Sequence, residues 1–386
     1  MTDLIEGYRE ELTAIRRDIH RHPELAYEET RTSDIVAEQL QSYGIEIQRG
    51  LAKTGVVGTL KAGTANKSIA LRADMDALPI QESNNFGHKS VHDMKMHACG
   101  HDGHTTMLLG AAKYLSETRE FDGIVHFIFQ PAEEGAGGAR VMIEEGLFDK
   151  FPITAVYGMH NWPLLAAGKF AMRSGPLMAA ADTFDIVVTG RGTHAAMPHT
   201  GLDPVPIGAE IVSALQTLVS RTTDPLDSAV LSVTQFQAGD AYNVIPETAT
   251  LRGGVRTLRE DTRQTMEAAM ERIVSGICEA HGARYDFTYT RGYPPTVNAE
   301  EETAYAAAAA ADVVGEDNVQ TDIAPVMGSE DFAYMLEKKP GSYIFIGNGT
   351  GEGSCMVHNP GYDFNDEILT IGARYWSRLV ETQLPK

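Results

Sequence analysis

Eight consecutive residues, His97-Ala98-Cys99-Gly100-His101-Asp102-Gly103-His104, hold one thiol and three imidazoles. Soft thiolate and borderline imidazole suit a divalent transition ion, Zn²⁺ above all, whereas Ca²⁺ and Mg²⁺ prefer oxygen cages. Cys99 and His101 lie two apart, so on an extended segment they face the same way, and Gly100 lets the backbone bend toward an ion. Structural zinc knots come as paired Cys/His half-sites, and no paired-cysteine half-site accompanies this run. A Cys-His pair also suits a redox or nucleophilic site. If the run holds a metal, its other ligands are distant in sequence, and the fold must gather separate segments at one point.

The stretch Gly123-Ile124-Val125-His126-Phe127-Ile128-Phe129-Gln130-Pro131-Ala132-Glu133-Glu134-Gly135 begins as an apolar, β-rich run. It reads as a buried strand of a parallel sheet stopped by Pro131, with His126 a satisfied core histidine. Glu133 and Glu134 then stand at the C-terminal edge of that strand, where open α/β sheets collect substrates. Metal-assisted hydrolysis needs one carboxylate to hold an ion and another, not bound to it, to take a proton from the attacking water. The adjacent pair could supply both. Without the Cys99/His101 cluster, two acids on a solvated loop would be the ordinary reading.

A chain of 386 residues suggests about two domains. Its net charge of -21 opposes binding to nucleic acid or an anionic membrane, although a local basic pocket could still hold a small carboxylate. The three cysteines, Cys99, Cys278 and Cys355, argue against a disulfide framework and for a reducing interior. The N-terminal segment has no apolar signal core and no later segment is long enough to span a bilayer, so a cytoplasmic location is the default expectation.

Apolar spacing predicts helices over Leu4 to His20 and Thr30 to Tyr43, then strands at Val56-Leu60 and Ile69-Arg72. Asp74 and Asp76 would emerge at a strand end and brace metal ligands. A helix is expected from His104 to about Leu115, and a short strand Val156 to Met159 would deliver His160 to its end. Between Thr183 and Thr290 the order of elements is βαββαβ, the ferredoxin-like split unit. The fold class expected is therefore α/β. A mixed, mostly parallel sheet forms a catalytic domain over 1–178 and 292–386, and an α+β ferredoxin-like domain is inserted at 179–291. Ser329 reads as an N-cap with Glu330 and Asp331 in the first turn. Gly347-Asn348-Gly349 and Gly351-Glu352-Gly353 read as loop, and His358 stands just before the terminal helix.

Six motifs occur in a recognisable order: Leu71-Arg72-Ala73-Asp74-Met75-Asp76-Ala77-Leu78-Pro79, the His97 to His104 run, Gln130-Pro131-Ala132-Glu133-Glu134, Gly158-Met159-His160-Asn161-Trp162-Pro163, Gly192-Thr193-His194-Ala195-Ala196-Met197-Pro198-His199, and Gly328-Ser329-Glu330-Asp331-Phe332. In these the chain resembles the M20-type metallo-aminoacylases and carboxypeptidases, and within them the branch of hippurate and auxin-amino-acid conjugate hydrolases. The resemblance implies Cys99, His101, Glu134, His160 and His358 as ligands of two divalent metal ions about 3.5–4 Å apart, with one ligand bridging. The wider superfamily has His-x-Asp where this chain has Asp74-Met75-Asp76, and an Asp bridge near the thiolate, so Mn²⁺, Co²⁺ and Ni²⁺ stay open beside Zn²⁺.

The activity implied is hydrolysis of an N-acyl-L-amino acid, with a small dipeptide-like amide as the alternative. Glu133 would deprotonate a metal-bound water and pass the proton to the leaving amine, while His194 helps to hold the oxyanion. Asn243 and Arg256 are candidates for gripping the substrate; for Arg256 an exposed salt bridge on a lid strand weighs equally. The inserted domain would be a lid and dimerisation domain, making a homodimer or, as the larger alternative, a homotetramer, with His194 placed in the partner's site. Two other classes stand beside this one: a thiol amidase using Cys99 as nucleophile, and a non-catalytic binding protein on a hydrolase fold.

Overall fold

The structure is a computed structural model that describes residues 1–349 and 355–386. The chain forms two units, one of Met1–Gly175, Val297–Ala324 and Asp331–Lys386, the other of Pro176–Thr296 and Pro325–Glu330. Among the described residues no helix is long and apolar enough to cross a membrane.

The first unit opens with α1 (Thr2–Glu6), α2 (Arg9–Arg21) and α3 (Thr30–Ser42). The single N-terminal helix expected from apolar spacing is thus two, parted at Gly7-Tyr8. Strands β1 (Glu46–Leu51), β2 (Gly55–Ala62) and β3 (Ser68–Asp74) follow, then α4 (His101–Thr118), β4 (Gly123–Gln130), α5 (Gly138–Glu144), β5 (Ala155–Pro163) and β6 (Phe170–Ala171). The late strands Val319–Gln320 and Gly341–Gly349 complete an eight-stranded sheet. Its order is β1, β2, β4, β3, β5, Gly341–Gly349, β6, Val319–Gln320. The centre is parallel, β4 to β3 to β5 to Gly341–Gly349, flanked by the antiparallel pairs β1 with β2, β2 with β4 and Gly341–Gly349 with β6, and Val319–Gln320 pairs parallel with β6 at the far edge.

Burial explains the centre. Every residue of β3 is buried, as a strand covered on both faces must be, and its apolar run carries no alternation. α4 is buried at almost every position from His101 to Leu115 and packs against β3, α2 and the terminal helix Leu369–Gln383. That burial matters for the site, because β3, β4 and β5 all end on the side from which α4 starts. α4 begins at His101, three residues earlier than the apolar spacing suggests, so His101 lies in its first turn. His160 lies within β5 rather than at its end. Gly347-Asn348-Gly349 ends a strand instead of forming a loop, whereas Gly351-Glu352-Gly353 falls outside the described residues. A 3-10 turn, Asp366–Ile368, and the segment before it separate His358 from the terminal helix.

The second unit holds an antiparallel sheet in the order Ala229–Gln237, Thr248–Thr257, Ala180–Thr189, Arg284–Arg291. Helices Pro204–Thr217 and Glu260–His281 cover one face, where Ile207, Ile211, Met266 and Met270 pack with Ile186, Val188 and Leu251. Burial alternates along Ala180–Thr189, as expected of a sheet with one covered face. The first strand in sequence sits between the third and the fourth, which is the split βαββαβ arrangement.

Candidate metal centre

Four segments meet where the central strands end. Cys99 and His101 flank the start of α4, Glu133 and Glu134 follow β4, His160 comes from β5, and His358 from the loop after Gly341–Gly349. The backbone N–H of His358 donates to the carbonyl of Ala98 at 2.7 Å, which joins two of these segments directly. Ligand atoms of Cys99, His101 and His160 lie within 4.8 Å of one another, as do those of Cys99, Glu134 and His358. Cys99 belongs to both groups. Cys99 Sγ stands 3.3 Å from His160 Nε2, and His358 Nε2 stands 3.2 Å from Glu134 Oε1. Glu133 forms a further group with His101 and Glu134.

The donors are prepared in the way metal ligands require. His160 Nδ1 bonds to the Asn161 carbonyl at 2.6 Å, and a carbonyl only accepts, so Nδ1 carries the proton and Nε2 offers a lone pair beside Cys99. Burial, aided by the neighbouring His104, pushes the His160 pKa well down and keeps the ring neutral. Both ring nitrogens of His101 and Oε1 of Glu134 are buried without a hydrogen bond. His101 Nδ1 does lie 3.3 Å from Asp76 Oδ1, in ion-pair range though outside hydrogen-bond geometry. Burial opposes charge on His101, but Asp74, Asp76 and Glu134 outweigh it and raise its pKa to about 10. Burial and the Glu134 carboxylate push the Cys99 thiol well above its ordinary value. A thiol amidase needs the opposite shift. Imidazole and carboxylate atoms without a hydrogen bond, converging with a thiol in a buried place, fit a divalent transition ion, whose charge would reverse this balance.

His104 looks like a ligand by composition, and the structure occupies it otherwise. Its Nε2 accepts from the Asn161 N–H at 2.9 Å, so its Nδ1 carries the proton donated to Asp74 Oδ1 at 2.6 Å. His97 is buried and its nitrogens have no hydrogen bond, yet it joins none of the donor groups. Asp76 accepts from the backbone N–H of Glu133 at 3.0 Å and of Glu134 at 2.9 Å, so it braces the acidic pair while facing His101.

The comparisons with known proteins follow the same lines. A profile of peptidase family M20/M25/M40 matches residues 70–382. The chain belongs to this family. The hippurate hydrolase of Campylobacter jejuni is 43% identical over 96% of this chain and 95% of its own length. The N-acyl-L-amino acid amidohydrolase of Geobacillus stearothermophilus is 48% identical over 77% of this chain and 80% of its own. The YXEP protein of Bacillus subtilis, a dinuclear metal-binding peptidase from the M20 family, superposes with a TM-score of 0.86 at 37% identity, covering 98% of this chain and 99% of that one. As a member of the M20 family the chain is a metal-binding hydrolase of amide bonds.

The other anticipated residues of this M20 chain lie in the second unit. His194 is exposed on Thr193–His194, paired with Val244–Ile245, and its Nδ1 accepts from Ala196 N–H at 3.0 Å. Asn243 is its neighbour across that pairing, its carbonyl taking the Ala195 N–H at 3.0 Å. Arg256, on Thr248–Thr257, donates to the Val255 carbonyl at 3.2 Å. Ser329 caps nothing: the short helix Ala333–Leu336 has Phe332 at its N-cap. Asp331 is instead a buried partner of Arg72 Nη2 at 2.9 Å and Gln130 Nε2 at 2.8 Å. Arg72 in turn holds Asp74 at 2.7 Å. Asn161 was legible as part of a motif, but its role was not, because it works through backbone atoms.

Proposed function

We propose that the protein hydrolyses N-acyl-L-amino acids of the hippurate type, with Glu133 as general base and two divalent metal ions held by Cys99, His101, Glu134, His160 and His358. The observation that carries this reading is the pair of donor groups sharing Cys99, with Glu133 beside them and not needed to complete either. Its support in substrate class is the likeness to a hippurate hydrolase and an N-acyl-L-amino acid amidohydrolase. Bound ions would polarise the acyl carbonyl and acidify water, and Zn²⁺, Mn²⁺, Co²⁺ and Ni²⁺ all suit the donors.

Glu133 takes a proton from the attacking water as its oxygen bonds to the acyl carbon. When the C–N bond breaks, Glu133 returns that proton to the leaving amine, so a carboxylate and an amine result. Asp76 holds Glu133 and Glu134 in register through their backbone N–H groups. His194 donates to the developing oxyanion, and Asn243 and Arg256 grip the substrate carboxylate. In this proposal the assembly is a homodimer, and His194 serves the partner's site.

The test is a panel of N-acyl amino acids offered to protein reconstituted separately with each metal and read by released amine. Silence across the whole panel would overturn the proposal. Cys99→Ser and His101→Ala should lose metal, whereas Glu133→Gln should keep it and lose on the order of 10²–10⁴ in kcat. A metal-free Glu133→Gln beside a metal-replete Glu134→Gln would exchange the two roles.

A further inference from the structure

Three consecutive backbone N–H groups, those of Ala132, Glu133 and Glu134, are each taken by a buried carboxylate. Asp76 takes the second and third, and Glu29 Oε1 takes the first at 2.9 Å. Glu29 is 103 residues away from Ala132 and completely buried. The same Oε1 accepts from the Tyr27 N–H at 3.0 Å, and Oε2 accepts from the Thr54 hydroxyl at 2.6 Å. Tyr27 at φ 64° and Ala132 at φ 58°, both bonded to that one oxygen, occupy the left-handed region that residues with side chains rarely adopt. Such strain persists only where surrounding contacts over-determine it. A second tie runs beside the first, from the Tyr27 hydroxyl to the Ala136 carbonyl at 2.9 Å.

The local role open to Glu29 is not the one it plays. It is the N-cap of α3, yet its carboxylate makes no cap bond to that helix. Both oxygens serve the loop before α3, the turn between β1 and β2, and the turn that bears the acidic pair. We propose that Glu29 is a positioning residue for amide hydrolysis: by fixing the left-handed turn at Ala132 it sets the direction in which Glu133 is presented. The proposal rests on the reading of Glu133 as base. Burial raises the Glu29 pKa to about 7, against the hydrogen bond from Thr54. What is needed is an acceptor of this shape.

The test compares metal-saturated wild type, E29A, E29Q, E29D and E133Q on one N-acyl amino acid that the wild type cleaves. Metal content and circular dichroism are measured on every sample. E29A should keep its metal and its KM while kcat per metal-loaded site falls about 10- to 100-fold, the scale of a small misplacement of a reacting group. E29Q should stay within about threefold of wild type, because its amide oxygen keeps both N–H bonds and the Thr54 hydroxyl can turn to accept from its nitrogen. If E29A does not accumulate folded, E29D replaces it, since one methylene less cannot span three donors. Wild-type kcat in folded, metal-loaded E29A or E29D would overturn the proposal, as would a loss in E29Q equal to that in E29A. Turnover surviving in E133Q would instead remove the base reading, and the inference with it.

Discussion

Gly100 sits where a methyl group has no room: a Cβ there would lie 2.3 Å from Asn161 Nδ2 and 2.6 Å from the Tyr362 hydroxyl, and its φ of 95° suits glycine alone. Those two side chains bond to each other at 2.6 Å, and Asn161 Nδ2 donates to the Cys99 carbonyl at 2.6 Å. Gly100→Ala therefore should cost about 1–3 kcal/mol in stability and weaken metal binding, because the displaced Asn161 releases the Cys99 backbone. Denaturant unfolding and a Zn²⁺ titration check it, and unchanged affinity would count against Asn161 as the anchor of the thiolate loop. Of the donors drawn together here, Cys99, His101 and the Glu133-Glu134 pair stood out by composition and spacing, whereas His160 and His358 entered only through the family resemblance. Their supports were not legible. Asn161, Asp76 and Glu29 act through backbone N–H and carbonyl groups that any residue supplies, so nothing in the sequence pairs Glu29 with Ala132. His104 was legible only as composition, and hydrogen bonds with Asp74 and Asn161 take both its nitrogens.

At the scale of elements, a buried ionic cluster ties α2 to the start of α4. His20 Nδ1 lies 2.9 Å from Asp102 Oδ2 and its Nε2 lies 3.2 Å from Glu82 Oε1, while Arg16 pairs with Asp363 at 2.8 Å and faces Asp102 at 3.6 Å. Burial works against a charge on His20, but its bonds to Asp102 and Glu82 outweigh it and raise the pKa from 6.5 to about 9. The folded state thus holds this proton more tightly than the unfolded one. The stabilisation is complete below about pH 6.5 and is lost as pH rises through about 9, on the order of 3 kcal/mol at most. His20→Gln keeps hydrogen-bonding capacity without titrating. The stability gap between wild type and His20→Gln, measured on metal-loaded protein, should be widest near pH 6 and close by about pH 9.5. A gap that stays constant would show that His20 is neutral in the fold. Helix periodicity exposed α2 in the sequence, but it could not tell that its buried face carries Arg16 and His20 as well as Leu12 and Ile19. Charged residues on a helix read as its wet side until their partners are known.

At the scale of the whole molecule, the order of strands and helices announced an inserted split βαββαβ unit, because that motif is local in sequence. The order of the eight-stranded sheet was not legible, since strands as distant as β5 and Gly341–Gly349 pair across the insertion. The insertion carries His194, whereas Cys99, His101, Glu134, His160 and His358 all belong to the first unit. If two-fold pairing of inserted domains brings His194 to the partner's site, lesions in different chains must complement. Glu133→Ala and His194→Ala are each expected to be inactive alone. Co-expressed at equal levels, random pairing makes half the dimers mixed, and in each mixed dimer one site has both an intact Glu133 and an intact His194 from its neighbour. Activity should then return to about one quarter of wild type. If His194 serves its own chain, every site in every dimer carries one lesion and nothing returns. Mass measurement of the mixed dimer separates that outcome from a failure to pair, so absence of recovery in confirmed mixed dimers would sink the shared site.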